Sequence, residues 1–439
     1  MRRALSGLAA FLVGIFLGGA LAGCADGAAP PVAAEGGVVR LVYWTSQNPQ
    51  ERELGDTLVA RWNRTHPRIQ VEAQPIPAGQ SSEEVLLASI VAGTTPDLCS
   101  NIWPGILNDL ARAGGVVPLD TLPGFDSLMA ARVPAALHAR FQSADGHFHQ
   151  LPWKTNPTMM MYNVDLLREA GVAAPPRTYS AFLAAARRVT ADTDGDGQID
   201  RWMGARDIRP IWWQRYFDAY PLYIAASGGR TLFSTEGELD VDREALAEVF
   251  GFFHEVYERG DFPMATLQGN AFAQGRIATE FTGPWTIAWL EENAPDIRFD
   301  FAPVPVPDHF TGPPVTYGDY KNIALFSTTR HPREAWAFAR YLVSEEADRL
   351  LLTMTRQIPI REGLDADPEL TAFFDANPAM RRFVAQAPNT RGVDAVRSLP
   401  EILDAVAQSY ERAIYGAETP TEAVASAERR IRTIQAWAR

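Results

Sequence analysis

Only two cysteines, Cys24 and Cys99, occur among 439 residues. So few exclude a disulfide framework and a CxxC metal pair, and Cys99, set in an apolar run, reads as a small buried hydrophobe. An excess of positive charge is also missing. The formal charge is −13 and the pI about 5.1, which argues against partnership with nucleic acid and against adsorption to anionic lipid. The one long apolar run, Ala9 to Leu21, is too short and too small-sided for a membrane span. No GxSxG, HExxH or P-loop pattern occurs, and no solenoid-type repeat. His147-Phe148-His149 places two imidazoles near each other but offers no third zinc ligand.

With 46% hydrophobic and 21% charged residues, the chain has the composition of a globular protein of two or three domains. Arg2 and Arg3 precede the apolar run, which ends in Leu21-Ala22-Gly23-Cys24. This resembles a bacterial lipobox, in which the cysteine is lipidated and becomes the mature N-terminus. The expectation is a lipoprotein signal peptide over 1–23 and lipidation at Cys24. A flexible Ala/Gly/Pro-rich tether follows over 24–37, so the location is extracytoplasmic, on a bacterial membrane.

Strand and helix signals then alternate. Val38 to Trp44 is strand-like, and Leu54, Leu58, Val59 and Trp62 line a helix that His66-Pro67 stops. Ile69 and Val71 begin a second strand. A helix through Val85 and Ile90 ends at Gly93, and a third strand starts at Pro96-Asp97. That order predicts a doubly wound α/β lobe. Further on, 150–154 and 159–162 look extended around a short loop through Asn156-Pro157, and the Pro-rich stretch Phe299 to Pro307 suits a connection between lobes.

Ile277 to Phe281 is a further strand, broken by Gly283-Pro284, after which Trp285, Ala288 and Trp289 follow helical spacing. A strand-to-helix corner of this kind exposes N–H groups and a large ring at the sheet edge where α/β domains bind ligands. Asp192-Thr193-Asp194-Gly195-Asp196-Gly197-Gln198-Ile199-Asp200 has a calcium-loop pattern. Oxygen ligands fall at Asp192, Asp194, Asp196 and Asp200, with Gln198 between, but Met203 stands where the bidentate Glu belongs. A calcium ion here would be structural; no cofactor is expected for function.

Several blocks together resemble the extracellular solute-binding proteins of carbohydrate-uptake ABC transporters, the maltose-binding-protein-like group. They are Trp62-Asn63 with His66 to Val71, and Pro96-Asp97-Leu98. They continue with Tyr162-Asn163-Val164-Asp165-Leu166-Leu167, Pro175-Pro176-Arg177-Thr178-Tyr179 and Gly283-Pro284-Trp285. The resemblance implies two α/β lobes joined by hinge strands, with the ligand in the cleft between. Residues 38–150 plus 304–355 would form the first lobe and 153–303 plus 360–439 the second. It also implies a monomer that delivers its ligand to the transmembrane subunits of an ABC permease.

A sugar offers an apolar face and a rim of hydroxyls, so its site needs aromatic plates and convergent amides or charges. Loop residues after strands supply the candidates: Trp44, Gln47 and Asn48, then Asn101 and Trp103. Counting back from Tyr162-Asn163, the resemblance puts a ligand contact at Asn156, with Lys154 nearby. Trp212, Trp213, Tyr216 and Trp285 come from the second lobe. Tyr317 and Asp319 flank Gly318 where relatives carry a Gly-Gly pair, and Arg356 precedes Gln357, where Gly is common. Two rivals stay open. One is a glycerol-3-phosphate or glycerophosphodiester binder; the other is a glycoside hydrolase, which needs two suitably spaced carboxylates. The chain reads as a binding protein, not an enzyme.

Overall fold

Asn48 sets the start of the first helix, Pro49–Thr65: its side chain accepts the Glu51 amide at 3.0 Å, meeting a donor that the helix itself leaves free. That helix links β1 (Val39–Thr45) to β2 (Ile69–Pro75), which lies parallel to β1 with Val39 opposite Ile69. A second helix, Ser82–Ala92, starts at the Ser81 cap and stops at Gly93, whose φ of 66° makes a left-handed C-cap. β3 (Leu98–Ile102) then pairs parallel with β1. The strand–helix alternation predicted from the sequence is thus realised in a computed structural model. It describes residues 37–438 apart from 80, 207–211 and 235–236, with side chains at all of these but 136, 212–216 and 438. The signal-peptide reading and Cys24 lie outside the described residues.

The remaining strands are β4 (Leu151–Pro157), β5 (Met159–Asn163), β6 (Trp202–Gly204), β7 (Ile277–Thr282), β8 (Phe299–Ala302), β9 (Thr316–Leu325), β10 (Ile358–Pro359) and β11 (Thr390–Arg391). They make two sheets. One runs β10-β4-β9-β3-β1-β2 with β11 beside β9, and the other runs β6-β7-β5-β8. This mixed α/β architecture is the fold class expected from the sequence.

One residue, Thr158, separates β4 in the first sheet from β5 in the second. It is fully buried and braced from β9: its amide donates to the Tyr317 carbonyl at 2.8 Å, and the Thr158 carbonyl accepts the Thr316 hydroxyl at 2.7 Å. The crossing is therefore tied by hydrogen bonds that no water replaces.

Each sheet carries its own apolar packing. Leu41, Trp62, Phe125, Leu151, Ile323 and Phe338 belong to one cluster, and Phe182, Phe250, Phe253, Phe281 and Tyr410 to another. Full burial of each such side chain stabilises the fold by about 1.5–3 kcal/mol. Cys99 is buried as expected, and burial pushes its thiol pKa upward. Among the described residues no helix is long and apolar enough to cross a membrane.

Two local expectations shift. Asn156-Pro157, read as a loop, continues β4, because Asn156 lies opposite Asp319 and Pro157 opposite Gly318 on the ladder with β9. Tyr317, Gly318 and Asp319, read as loop residues, lie inside β9. Gly318 fits there because a Cβ would stand 2.7 Å from the Thr390 side chain of β11. Pro284 stands at the N-cap of the helix Trp285–Asn293 that the spacing of Trp285, Ala288 and Trp289 predicts.

Candidate functional site

On β4 and β9, antiparallel pairing puts Asn156 and Asp319 on the same face, with Lys154 opposite Lys321. Side chains on this face enter two adjoining buried polar groups. Lys154, wholly buried, donates through Nζ to Glu51 Oε1 at 2.6 Å. The same oxygen accepts Gln357 Nε2 at 2.7 Å, and Gln357 Oε1 accepts Asn156 Nδ2 at 2.9 Å. Asn156 Oδ1 takes the Ile358 amide at 3.3 Å.

Two strands, β4 and β10, and one helix start thus share a single chain of donors and acceptors. Burial raises the Glu51 pKa, but the Lys154 charge and the hydrogen bonds outweigh it and hold the carboxyl below its ordinary value. For Lys154, burial pulls the ammonium down and Glu51 offsets part of that.

The second group begins at Asp319. Its Oδ1 accepts the Tyr317 hydroxyl at 3.1 Å and lies 3.2 Å from Lys321 Nζ. The Tyr317 oxygen in turn accepts the Trp103 indole N–H at 3.2 Å. Tyr317 also meets Phe217 and Tyr220, each at 5.7 Å between ring centroids, and Phe217 meets Trp285 edge-on at 6.4 Å. An aromatic wall from Trp285 to Tyr317 therefore stands beside a floor of amides and carboxylates.

Trp285 owes its position to Gly283. The ring folds back over that glycine so closely that a Cβ there would stand 2.1 Å from it. Trp103 lies over Gly105 in the same way, with 2.2 Å left for a Cβ. Trp285 remains half-buried, whereas Trp103 is 4% exposed and packed in a core cluster.

Lys154 and Asn156 thus belong to one hydrogen-bonded group and Trp103, Tyr317 and Asp319 to a second, which adjoin where Asn156 lies opposite Asp319, with Trp285 reached through Phe217. Other candidates have different surroundings. Trp44 is 8% exposed and packs with Ile76, Leu86 and Phe326. Gln47 donates to the Ile76 carbonyl, and Asn48 is occupied as a helix cap. Arg356 ends a helix at φ 61°, pairs with Glu291 at 2.9 Å and lies over the Phe373 ring. Asn101 sits half-buried at a β3 bulge with φ 63°, a left-handed conformation that Asn tolerates better than most residues. The side chains of Trp212, Trp213 and Tyr216 lie outside the described residues.

Two members of the first group, Glu51 and Gln357, were not among the residues expected to bind. Glu51 gives no local signal, since it reads as a first-turn acid of a helix. Gln357 was visible only as a departure from the usual Gly. In the second half, Arg206 pairs with Asp218 and donates to the Phe281 and Phe217 carbonyls. Burial raises the nearby Glu280 carboxyl, and the Arg206 charge offsets that in part.

In the acidic loop, Asp192, Asp194 and Asp200 bring carboxylate oxygens within 4.8 Å of one another. Gly195 and Gly197, both at positive φ, give the turn, and their amides donate to Asp192 at 2.6 and 2.8 Å. Asp196 lies outside that group and accepts the Gln198 amide at 2.8 Å. Hard oxygens so arranged fit a calcium ion in ligand type, though three carboxylates alone leave most of its coordination to carbonyls and water.

Comparisons with known proteins agree in kind. The family described as bacterial extracellular solute-binding protein matches residues 57–382. A maltotriose-binding protein of Pyrococcus abyssi is 26% identical over 344 residues, covering 77% of this chain and 70% of its own. Among solved structures, the maltose/maltodextrin-binding domain of Bdellovibrio bacteriovorus bound to maltotriose superposes with a TM-score of 0.74 at 18% identity, over 90% of this chain and 99% of that one. The cyclic alpha-maltosyl-1,6-maltose binding protein of Arthrobacter globiformis gives 0.73 at 21% identity, over 91% and 99%. At these identities the structural likeness speaks for the fold.

Proposed function

The chain belongs to the bacterial extracellular solute-binding proteins, and from that membership we propose that it captures a neutral sugar or oligosaccharide and delivers it to the permease of an ABC importer. The ligand would lie between two lobes, 38–150 plus 304–355 and 153–303 plus 360–439, with β4 and β9 as hinge strands. Trp285 would stack on the sugar's apolar face while Asn156 and Asp319 address its hydroxyls. Relatives named for maltotriose and for arabinooligosaccharides support a saccharide.

The observation that carries a neutral ligand is the pairing of the cations around the site. Lys154 is held by Glu51, Lys321 by Asp319 and Arg206 by Asp218. Among the described residues these cations are already matched, so a phosphate there would have to break an ion pair. Calorimetric titration with maltotriose, arabinooligosaccharides and glycerol 3-phosphate tests this. Heat with a saccharide and none with the phosphate is expected, and the reverse would replace the reading with the phosphorylated-polyol one.

Two further parts complete the proposal. Cys24 would carry a lipid that tethers the protein to its membrane, and the loop at Asp192, Asp194 and Asp200 would hold a structural calcium. The protein would act as a monomer and without catalysis.

A further inference from the structure

On one face of β9 lies a cavity of about 410 Å³. Cross-strand pairing fixes its side. Thr155 is opposite Tyr320 and Asn156 opposite Asp319, so Tyr320 turns away from the amide–carboxylate network. Tyr320 lines this cavity, together with Phe141, Phe233, Arg140, Arg391 and Asp394.

The two arginines converge. Nη1 of Arg140 and Nη1 of Arg391 donate to the same Thr390 carbonyl, at 3.4 and 2.9 Å. Neither guanidinium meets a carboxylate among the described residues. Asp394, the acid on the wall, is turned to other donors: it accepts the Leu232 amide at 3.3 Å, the Phe233 amide at 3.1 Å and the Tyr220 hydroxyl at 3.3 Å. Burial and then the Arg140 charge pull the Arg391 pKa downward. Both arginines line the cavity, and the Asp394 carboxylate on its wall is engaged by two amides and a hydroxyl rather than by either guanidinium, unlike the matched cations on the other face of the same strands.

We propose that this cavity binds a small organic anion, a carboxylate or phosphate monoester. Its charged head would lie between Arg140 and Arg391, and its body against Phe141 and Phe233. Guanidinium forks suit either head group because both present paired oxygens, and the volume falls within the range of small-molecule pockets. Arg140 precedes β4 and Arg391 lies on β11, so the site draws on segments far apart in sequence. It is separate from the candidate sugar site and does not rest on the sugar reading.

The test is titration of the whole protein with phenyl phosphate, benzoate and phenol at low ionic strength. Phenyl phosphate or benzoate should bind, whichever does so naming the head group, and phenol should not. Arg140→Gln, at an exposed position, and Arg391→Lys should each weaken the anion by about tenfold or more, the worth of one charged hydrogen bond. Saccharide binding by Arg140→Gln should be unchanged, which separates this site from the other. Absence of binding by both anions at millimolar concentration, equal binding of phenol, or wild-type affinity in both variants would overturn the proposal.

Discussion

Lys154 and Glu51 meet 2.6 Å apart across 103 positions of sequence, one on β4 and the other in the first turn of the helix after β1. Both are buried, and Gln357 joins them from beside β10. Removing one partner strands the other charge in low dielectric. Glu51→Gln is therefore expected to cost about 3–5 kcal/mol of unfolding free energy, read by urea denaturation. Replacing both by apolar residues, Glu51→Leu with Lys154→Met, should recover much of that loss. Equal stability of Glu51→Gln and wild type would show that the pair is not buried as described.

Stability should also depend on pH in two opposed ranges. The Asp394 carboxyl is pushed up to about 6 by burial, so the folded state binds its proton more readily than the unfolded chain. Stability from this group rises as pH falls through about 6 and is complete below its unfolded value of 3.8. The span is on the order of 3 kcal/mol. His147, raised by its hydrogen bond to Asp120, works in the same direction: its contribution is present below pH 6.5 and is lost as pH rises through its folded value. Glu51, held below 4.5, acts the other way, and its contribution is lost only as pH falls below that figure. The melting temperature should therefore be higher near pH 5 than at pH 7.5. Asp394→Asn should flatten that slope, and an unchanged slope would remove Asp394 as its source.

The acidic loop gives a third expectation. Calcium should raise the melting temperature and a chelator lower it. At a hundredfold excess over the dissociation constant the gain is about 2.7 kcal/mol. Asp192→Ala, which also removes the acceptor for the Gly195 and Gly197 amides, should abolish the calcium response. A wild-type protein whose melting temperature ignores calcium would leave the loop a hydrogen-bonded turn.

Gly283→Ala should act on ligand affinity through a neighbour. A methyl group there meets the Trp285 ring at 2.1 Å, so the ring must swing away. Saccharide binding is expected to weaken by about tenfold or more, with a smaller change in stability. Unchanged affinity would detach Trp285 from the site.

Much of the fold was legible because local chemistry declares it. The apolar spacing of Leu54, Leu58, Val59 and Trp62 marks the first helix, and Gly93 ends the second where a left-handed residue fits. The candidate site was less legible, because its polar groups meet over distances that no window spans. Gln357 lies 306 positions from Glu51, and neither residue type announces the other. β9 likewise runs past its apolar half. Tyr317, Gly318 and Asp319 carry no alternation of their own and are extended because β4 and β11 pair with them. The tryptophans show the same limit. Trp44 and Trp285 both follow strands, yet one is packed among Ile76 and Leu86 while the other stays half-buried over a glycine.

The account turns on Trp285 as a plate for a sugar ring. Calorimetry of wild type and Trp285→Ala against maltotriose and a panel of other neutral oligosaccharides tests this most directly. At least one saccharide should bind wild type, and the variant should bind it about 1–3 kcal/mol more weakly with its melting temperature little changed. Equal affinity in the two proteins, with only the stability of the variant reduced, would make Trp285 a packing residue and contradict the account.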